Sequence, residues 1–326
     1  MIKPQITLAP MEGVIDHLMR QMLTSFGGID LCVTEFIRIV DQKLPERVFY
    51  RYCPELYNGC KTPSGTPVRI QLLGQDPDWL AENAVVATRL GSPGIDLNFG
   101  CPAKAVNKSR GGAILLKEPD TLYRIAKAVR AAVDSNLPVT AKMRLGFDDS
   151  SLAIENAQAL SEGGVSEIAI HARTKSDGYK PPAYWEQIKS ISQHVDTPLI
   201  ANGEIWNPEQ ANLCQQRSGC TNLMIGRGAL ALPNLAAWIK GDQEPLLWVD
   251  VLSLLISYSK HEIEGDKGLY YSNRVKQWMV YLKMTYPQAE SFFRAIRTIK
   301  KTDEMLSAIH LEHHLHSNIA QSLVLS

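Results

Sequence analysis

Cys101 is the residue with the most chemical promise, set in Asn98-Phe99-Gly100-Cys101-Pro102. The glycine before it and the proline after it place it on a fixed loop, outside any helix stripe. By default a cysteine is an inert packing residue. A thiol with a pKa of about 8.5 is also mostly protonated at neutral pH and can act as a general acid. Residue chemistry alone leaves those readings even. Other polar and glycine-bearing blocks are Ala9-Pro10-Met11-Glu12-Gly13, Thr34-Glu35, Gln71, Lys142 with Arg144, His171-Ala172-Arg173-Thr174, Asn202-Gly203-Glu204 and Gly226-Arg227-Gly228.

The last two blocks suggest a phosphate clamp. Small residues let backbone N–H groups approach a phosphate, and Arg227 adds a fork of donors. Turn-making is the plainer role for these glycines, but two such loops with basic groups at hand favour phosphate. A dinucleotide fingerprint at Gly226-x-Gly228-x-x-Ala231 would need a further βα unit, and the chain instead meets Pro233 and turns helical. Gln71 and Lys142 suit a flavin ring, which needs amide partners along its pyrimidine edge and a cation near N1. Against this, Gln71 could simply bond within a barrel rim. Lys142 is harder to explain structurally, because a lysine inside a barrel is poorly solvated.

The elements that must carry these residues follow from hydrophobic pattern. Eight short apolar runs predict strands at Ile6–Leu8, Leu31–Thr34, Val68–Leu72, Gly94–Leu97, Val139–Met143, Glu167–His171, Pro198–Ala201 and Asn222–Ile225. Amphipathic segments separate them, with helices expected from Pro77, Pro119 and Pro208. Eight βα units in about 240 residues predict an α/β fold, a (β/α)8 TIM barrel, whose active residues lie at the strand C-terminal ends. Every block above falls at such an end. From Pro245 onward only helical spacing remains, at Leu246–Tyr258, Arg274–Tyr281 and Ala289–Ile299, punctuated by Gly265-Asp266-Lys267-Gly268 and Tyr286-Pro287. The expected domains are therefore a barrel over residues 1–241 and a small all-helical domain over 245–326.

With 326 residues, 45% hydrophobic and 21% charged, the chain can bury a core without disulfides or metals. The N-terminus lacks a signal-peptide core, and Leu246–Tyr258 is too short to span a bilayer. Six scattered cysteines without C-x-x-C support neither zinc nor a disulfide framework, so a reducing cytoplasm is expected. Net charge is zero, yet Tyr270–Lys301 holds seven basic residues (Arg274, Lys276, Lys283, Arg294, Arg297, Lys300, Lys301) against one acid, Glu290. Such a stretch, interleaved with Tyr270, Tyr271, Trp278 and Tyr281, suits a nucleic-acid partner. Trp278 and Tyr281 share an i, i+3 face, and for Trp278 a core role is the better reading. His310, His313, His314 and His316 read as an exposed helix face, and no metal site is expected.

Taken in order, the blocks resemble the tRNA-dihydrouridine synthases: Ala9-Pro-Met-x-Gly13-Val14-x-Asp16, Asn98-x-Gly-Cys101-Pro102, Lys142-x-Arg144, His171-x-Arg173-Thr174, Asn202-Gly203-Glu204-Ile205 and Gly226-Arg227-Gly228-Ala229. The resemblance implies an FMN-binding barrel followed by a helical tRNA-binding domain; a monomer is expected. It implies reduction of the C5–C6 double bond of uridine, with NADPH supplying electrons. Cys101 matches the family's proton donor, which raises the acid reading above packing. Carried over residue by residue, the flavin site comprises Pro10, Met11, Glu12, Gln71, Lys142, His171, Asn202, Gly203, Glu204, Gly226 and Arg227, and Asn98 faces the uracil. Arg38, Arg274, Lys276, Tyr281 and Arg297 match tRNA contacts of the bacterial C-type enzymes, which act on U16 of the D-loop. Two rivals remain: a flavin barrel for a small pyrimidine-like substrate, and a tRNA-binding folding factor without chemistry. The basic helical segment argues against the first, and Cys101 within a full flavin constellation against the second.

Overall fold

The computed structural model describes residues 3–261 and 270–324, with side chains through Ser317. The expected punctuation at Gly265–Gly268 lies outside the described residues. The eight apolar runs become one closed parallel barrel: β1 (Ile6–Leu8), β2 (Leu31–Arg38), β3 (Val68–Leu73), β4 (Ile95–Phe99), β5 (Val139–Arg144), β6 (Glu167–His171), β7 (Leu199–Asn202) and β8 (Leu223–Ile225). β8 returns to β1, with Ile6 opposite Leu223 and Leu8 opposite Ile225, so no edge is left unpaired. The expected bounds agree to within about two residues except in β2, which runs past Thr34 to Arg38. An irregularity against β3 between Val33 and Phe36 accommodates the extra length and lifts Arg38 to the rim.

Side-chain alternation divides the strands between two cores. On β4, Ile95, Leu97 and Phe99 pack outward against the helical shell, while Asn98 faces the barrel mouth. The interior holds a small apolar patch of Ala9, Ala169, Ile200 and Met224, beside polar residues from β3, β4 and β5. The shell helices begin where the sequence says they should. Asp76 Oδ1 accepts from Asp78 N and Trp79 N, both at 3.0 Å, to start Pro77–Arg89. Asn207 Oδ1 accepts from Gln210 N at 2.8 Å to start Pro208–Ser218. Pro119–Ala132 buries Leu122, Ile125, Ala126 and Val129, and the burial of each larger side chain contributes about 1.5–3 kcal/mol.

Beyond the barrel come the helices Trp248–Tyr258, Tyr270–Leu282, Pro287–Ile296 and Thr302–Val324. The last was not delimited by pattern: Met305 and Ile309 are buried one turn apart, but Leu311 and Leu315 lie exposed and blur the stripe. His310 and His314 are exposed, while His316 meets Glu312 at 3.1 Å. Trp278 is a core residue, 1% exposed, edge-on to Tyr258 and donating from Nε1 to the barrel carbonyl of Leu230 at 2.9 Å. The connection between the two regions is tied down, since Asn234 donates to Glu244 O (2.7 Å) and accepts from Leu246 N (3.2 Å). No described helix is long and apolar enough to cross a membrane.

Candidate active site at the barrel mouth

The strand C-termini converge on a cavity of about 500 Å³. Pro10, Met11, Glu12, Gln71, Asn98, Cys101, Lys142, His171, Asn202, Gly203, Glu204, Gly226 and Arg227 all line it, joined by Tyr281 from the helical region. Arg38, Arg274, Lys276 and Arg297 do not. The cavity also takes in Arg144, Tyr179 and Trp206. No pattern in the text singled out the two aromatics; their one signal was position in loops after β6 and β7, on the face where barrel chemistry lies.

Cys101 is held by its surroundings on every side. Asn98 Oδ1 accepts from Gly100 N at 3.0 Å and Cys101 N at 2.9 Å. Asn107 Nδ2 and Ala113 N both donate to Cys101 O at 3.1 Å. At Gly112 the backbone is left-handed (φ 67°), and a Cβ there would come within 2.9 Å of the Cys101 Cβ. The thiol is 8% exposed, and burial pushes its pKa up despite a backbone N–H at Ala103 and the cations Arg144 and Lys142. It therefore keeps its proton at neutral pH, the state a general acid needs.

Around it stand a lysine and two amides. Desolvation, reinforced by Arg144, lowers the Lys142 ammonium to about 8, with Asp96 opposing. Among the described residues no acceptor is hydrogen-bonded to that ammonium, so its donors are available to a ligand. Gln71 is fully buried, donating to Asp96 Oδ2 at 2.6 Å and accepting from Asn98 Nδ2 at 2.7 Å. Burial among Arg144, Lys142, Arg173 and Arg227 pushes the His171 pKa well down, so the ring is neutral. Arg173 Nη1 faces His171 Nε2 at 3.4 Å. A guanidinium only donates, so Nε2 accepts and the ring proton sits on Nδ1.

The ends of β7 and β8 form a cradle. Gly203 has φ 118°, and a Cβ there would lie 2.9 Å from His171 Cδ2. Glu204 follows, also left-handed at φ 59°. The Glu204 carboxylate is occupied: it pairs with Arg173, accepts from Trp206 Nε1 at 3.1 Å and lies 3.8 Å from Arg227. Toward an anion, then, Glu204 can offer its backbone N–H and not its side chain. The Arg227 guanidinium lies 5.0 Å from the Tyr179 ring and 5.2 Å from the Trp206 ring, a cation held between two aromatic rings. A Cβ at Gly226 would sit 3.3 Å from Ala9 Cβ and Met11 Sδ, so that turn has little room for a side chain.

Two residues expected to contact tRNA phosphates have other work. Arg274 pairs with Asp16 at 2.8 Å, their side chains 10% and 22% exposed, and donates to Gly13 O and Val14 O at 2.9 and 2.7 Å. A phosphate contact by Arg274 does not fit that placement, because its guanidinium is spent on fastening the β1 loop to the helix Tyr270–Leu282. Lys276 donates to Ile299 O at 2.9 Å and is half-buried. Lys283 and Arg294 share Glu290, at 3.4 and 3.1 Å, and Lys301 meets Glu304 at 3.3 Å. Asp16 and Glu304, both outside the stretch, thus pair two of its seven cations, so it is more neutralised than its count suggests, while exposed Arg297 and Lys300 have no acid partner among the described residues. Arg38 is exposed and donates to Ser109 Oγ, beside the cysteine loop.

Fold and site together define a parallel β/α-barrel protein with its reactive groups at the strand C-termini, the arrangement shared by barrel enzymes. A solved variant of NCR from Zymomonas mobilis has the same fold, with a TM-score of 0.51 at 14% identity, covering 73% of this chain and 87% of that one. The dihydrouridine synthase (Dus) family model matches residues 7–320, and the chain belongs to that family. It is 55% identical over 312 residues to the tRNA-dihydrouridine(16) synthase of Shewanella oneidensis, covering 95% of this chain and 99% of that protein. The enzyme of the same name from Escherichia coli is 49% identical over 306 residues, covering 94% and 97%.

Proposed function

We propose that this chain reduces the C5–C6 double bond of uridine 16 in the tRNA D-loop, with FMN as its flavin and NADPH as reductant, as a cytoplasmic monomer. The observation that carries the reading is the buried Cys101 thiol, its pKa pushed up by burial, in the same cavity as the Lys142 ammonium and the Gly203–Glu204 and Gly226–Arg227 turns. The residues present fit FMN. Lys142 is a cation with no hydrogen-bonded acceptor among the described residues, suited to the pyrimidine edge, and the Gly203 turn leaves backbone where a Cβ would collide. When bound, FMN supplies the hydride that adds to uracil C6.

Everything else is the work of the chain. Cys101 delivers its proton to C5, completing the addition of one hydride and one proton across the double bond. Asn98 holds the cysteine loop, and its second Nδ2 proton is free to meet a uracil in the cavity. The base must be swung out of the tRNA to reach this depth. Tyr281 lines the cavity and offers a ring on which it can stack. In this reading residues 1–241 form the FMN domain and 245–326 dock the tRNA; the names of the relatives support position 16.

The test is direct. Purified protein should be yellow and release FMN on denaturation, and mass mapping of reacted tRNA should find dihydrouridine at position 16. Cys101→Ala should keep its flavin and NADPH oxidation by artificial acceptors while losing tRNA reduction about 10²-fold or more. Normal dihydrouridine formation by this variant would end the proton-donor assignment, and modification at another D-loop uridine would end the positional one.

A further inference from the structure

Below the cavity, and outside its lining, lies a carboxylate that the chemistry above does not use. Asp96 is 2% exposed, on β4, with Gln71 of β3 and Thr140 of β5 as its register partners. Thr140 Oγ1 donates to Asp96 Oδ1 at 2.6 Å, and Gln71 Nε2 donates to Oδ2 at 2.6 Å. We propose that Asp96 is a positioning residue that sets the orientation of the Gln71 and Asn98 amides and, through them, the seat of the Cys101 thiol. The proposal rests on the reading of Cys101 as the proton donor.

Hydrogen-bond polarity dictates the orientation of each amide. A carboxylate can only accept, so Gln71 must turn its NH2 toward Asp96. That aims Gln71 Oε1 at Asn98, which must answer with its own NH2, as it does at 2.7 Å. Asn98 Oδ1 is then left facing Gly100 N and Cys101 N, at 3.0 and 2.9 Å, and these can only donate. The chain of bonds thus has the same polarity from both ends, and a single arrangement satisfies every member. Without the acceptor at its base, Gln71 can turn over. A reversed Asn98 would set NH2 against two backbone N–H groups and release the cysteine loop, leaving buried polar groups unpaired. Burial pushes the Asp96 pKa up, the bonds from Gln71 and Thr140 and the charges of Arg69 on β3 and Lys142 on β5 oppose it, and Glu167 on β6 faces it as a like charge.

The experiment compares Asp96→Ala with Asp96→Asn at about pH 6.5, below the Lys142 value of about 8; both variants remove the same negative charge from Lys142, so the comparison between them isolates hydrogen-bond polarity. In Asp96→Asn the amide oxygen can accept from Gln71 while the amide NH2 donates to Thr140, so this variant keeps the polarity and loses only the charge. Expected for Asp96→Ala is a kcat for tRNA reduction lower by about 10- to 100-fold, with KM for tRNA within about twofold and flavin content unchanged. The rate at which iodoacetamide alkylates Cys101, followed by mass spectrometry, should change by more than about fivefold. Asp96→Asn should restore both rates to within about threefold. Unaltered kcat and alkylation in Asp96→Ala would overturn the proposal. So would an Asp96→Asn variant as impaired as the alanine, which would assign the effect to charge. Should the alanine variant not fold, a loss beyond about tenfold in Asp96→Asn overturns it on its own. If alkylation follows the expected pattern while Cys101→Ala still forms dihydrouridine, positioning stands and the acid role of Cys101 falls.

Discussion

Replacing Arg274 by Ala separates two kinds of basic residue that look alike in sequence. The side chain pairs with Asp16 at 2.8 Å and supplies donors to Gly13 O and Val14 O, from a site only 10% exposed. Breaking a buried ion pair by removing one partner costs about 3–5 kcal/mol. Asp16 is 22% exposed and keeps Met19 N and the Tyr270 hydroxyl as donors, which argues for the lower end. With an unfolding entropy of ~2.1 cal/mol/K per residue, a chain of this length loses about 1.5 °C per kcal/mol, so about 3 kcal/mol lowers Tm by roughly 4–5 °C. The β1 loop carrying Pro10–Val14 should loosen as well, weakening flavin retention. A phosphate contact would act differently, lowering the slope of log affinity for tRNA against log salt by about 0.7–0.9. Calorimetry and a salt titration of tRNA binding measure the two effects. A Tm within about 1 °C of wild type, together with a slope reduced by that amount, would refute the clamp.

Arg297→Ala with Lys300→Ala should do the reverse, reducing the salt slope by about 1.4–1.8 while Tm stays within about 1 °C; an unchanged slope places the docking face elsewhere. The Lys142 ammonium, lowered to about 8, holds its proton below that pH and loses it above, so turnover should fall as pH rises through about 8. Lys142→Met should be slower and lack that alkaline limb, and persistence of the limb would assign it to another group. Gly203→Ala meets both φ 118° and a 2.9 Å approach to His171. It should weaken FMN binding by more than about tenfold, with strain of about 1–3 kcal/mol in the folded protein. FMN affinity equal to wild type would remove the Gly203 turn from the cofactor cradle.

The chain's text determined the barrel because each strand is a short apolar run bounded by turn residues, and some helix starts carry a local signal. Asp76 and Asn207 start their helices as their positions imply. The site was legible for a related reason. In a closed parallel barrel every strand end faces one mouth, so reading the residues after eight strands gives the lining before any distance is known. What local text could not carry was which partner each charge meets. Arg274 looked like one of seven solvent-facing cations, yet it bonds a carbonyl 261 positions away in the β1 loop. Asp96 reads as any acid within a strand until register sets it between Gln71 and Thr140. Tyr179 and Trp206 lie in irregular loops, where no period marks a side chain as inward. The path of those loops, and their closing over Arg227, was decided by packing between distant segments. Hydrophobic periodicity is a property of neighbours in sequence, whereas pairing, burial and hydrogen-bond polarity are properties of neighbours in space.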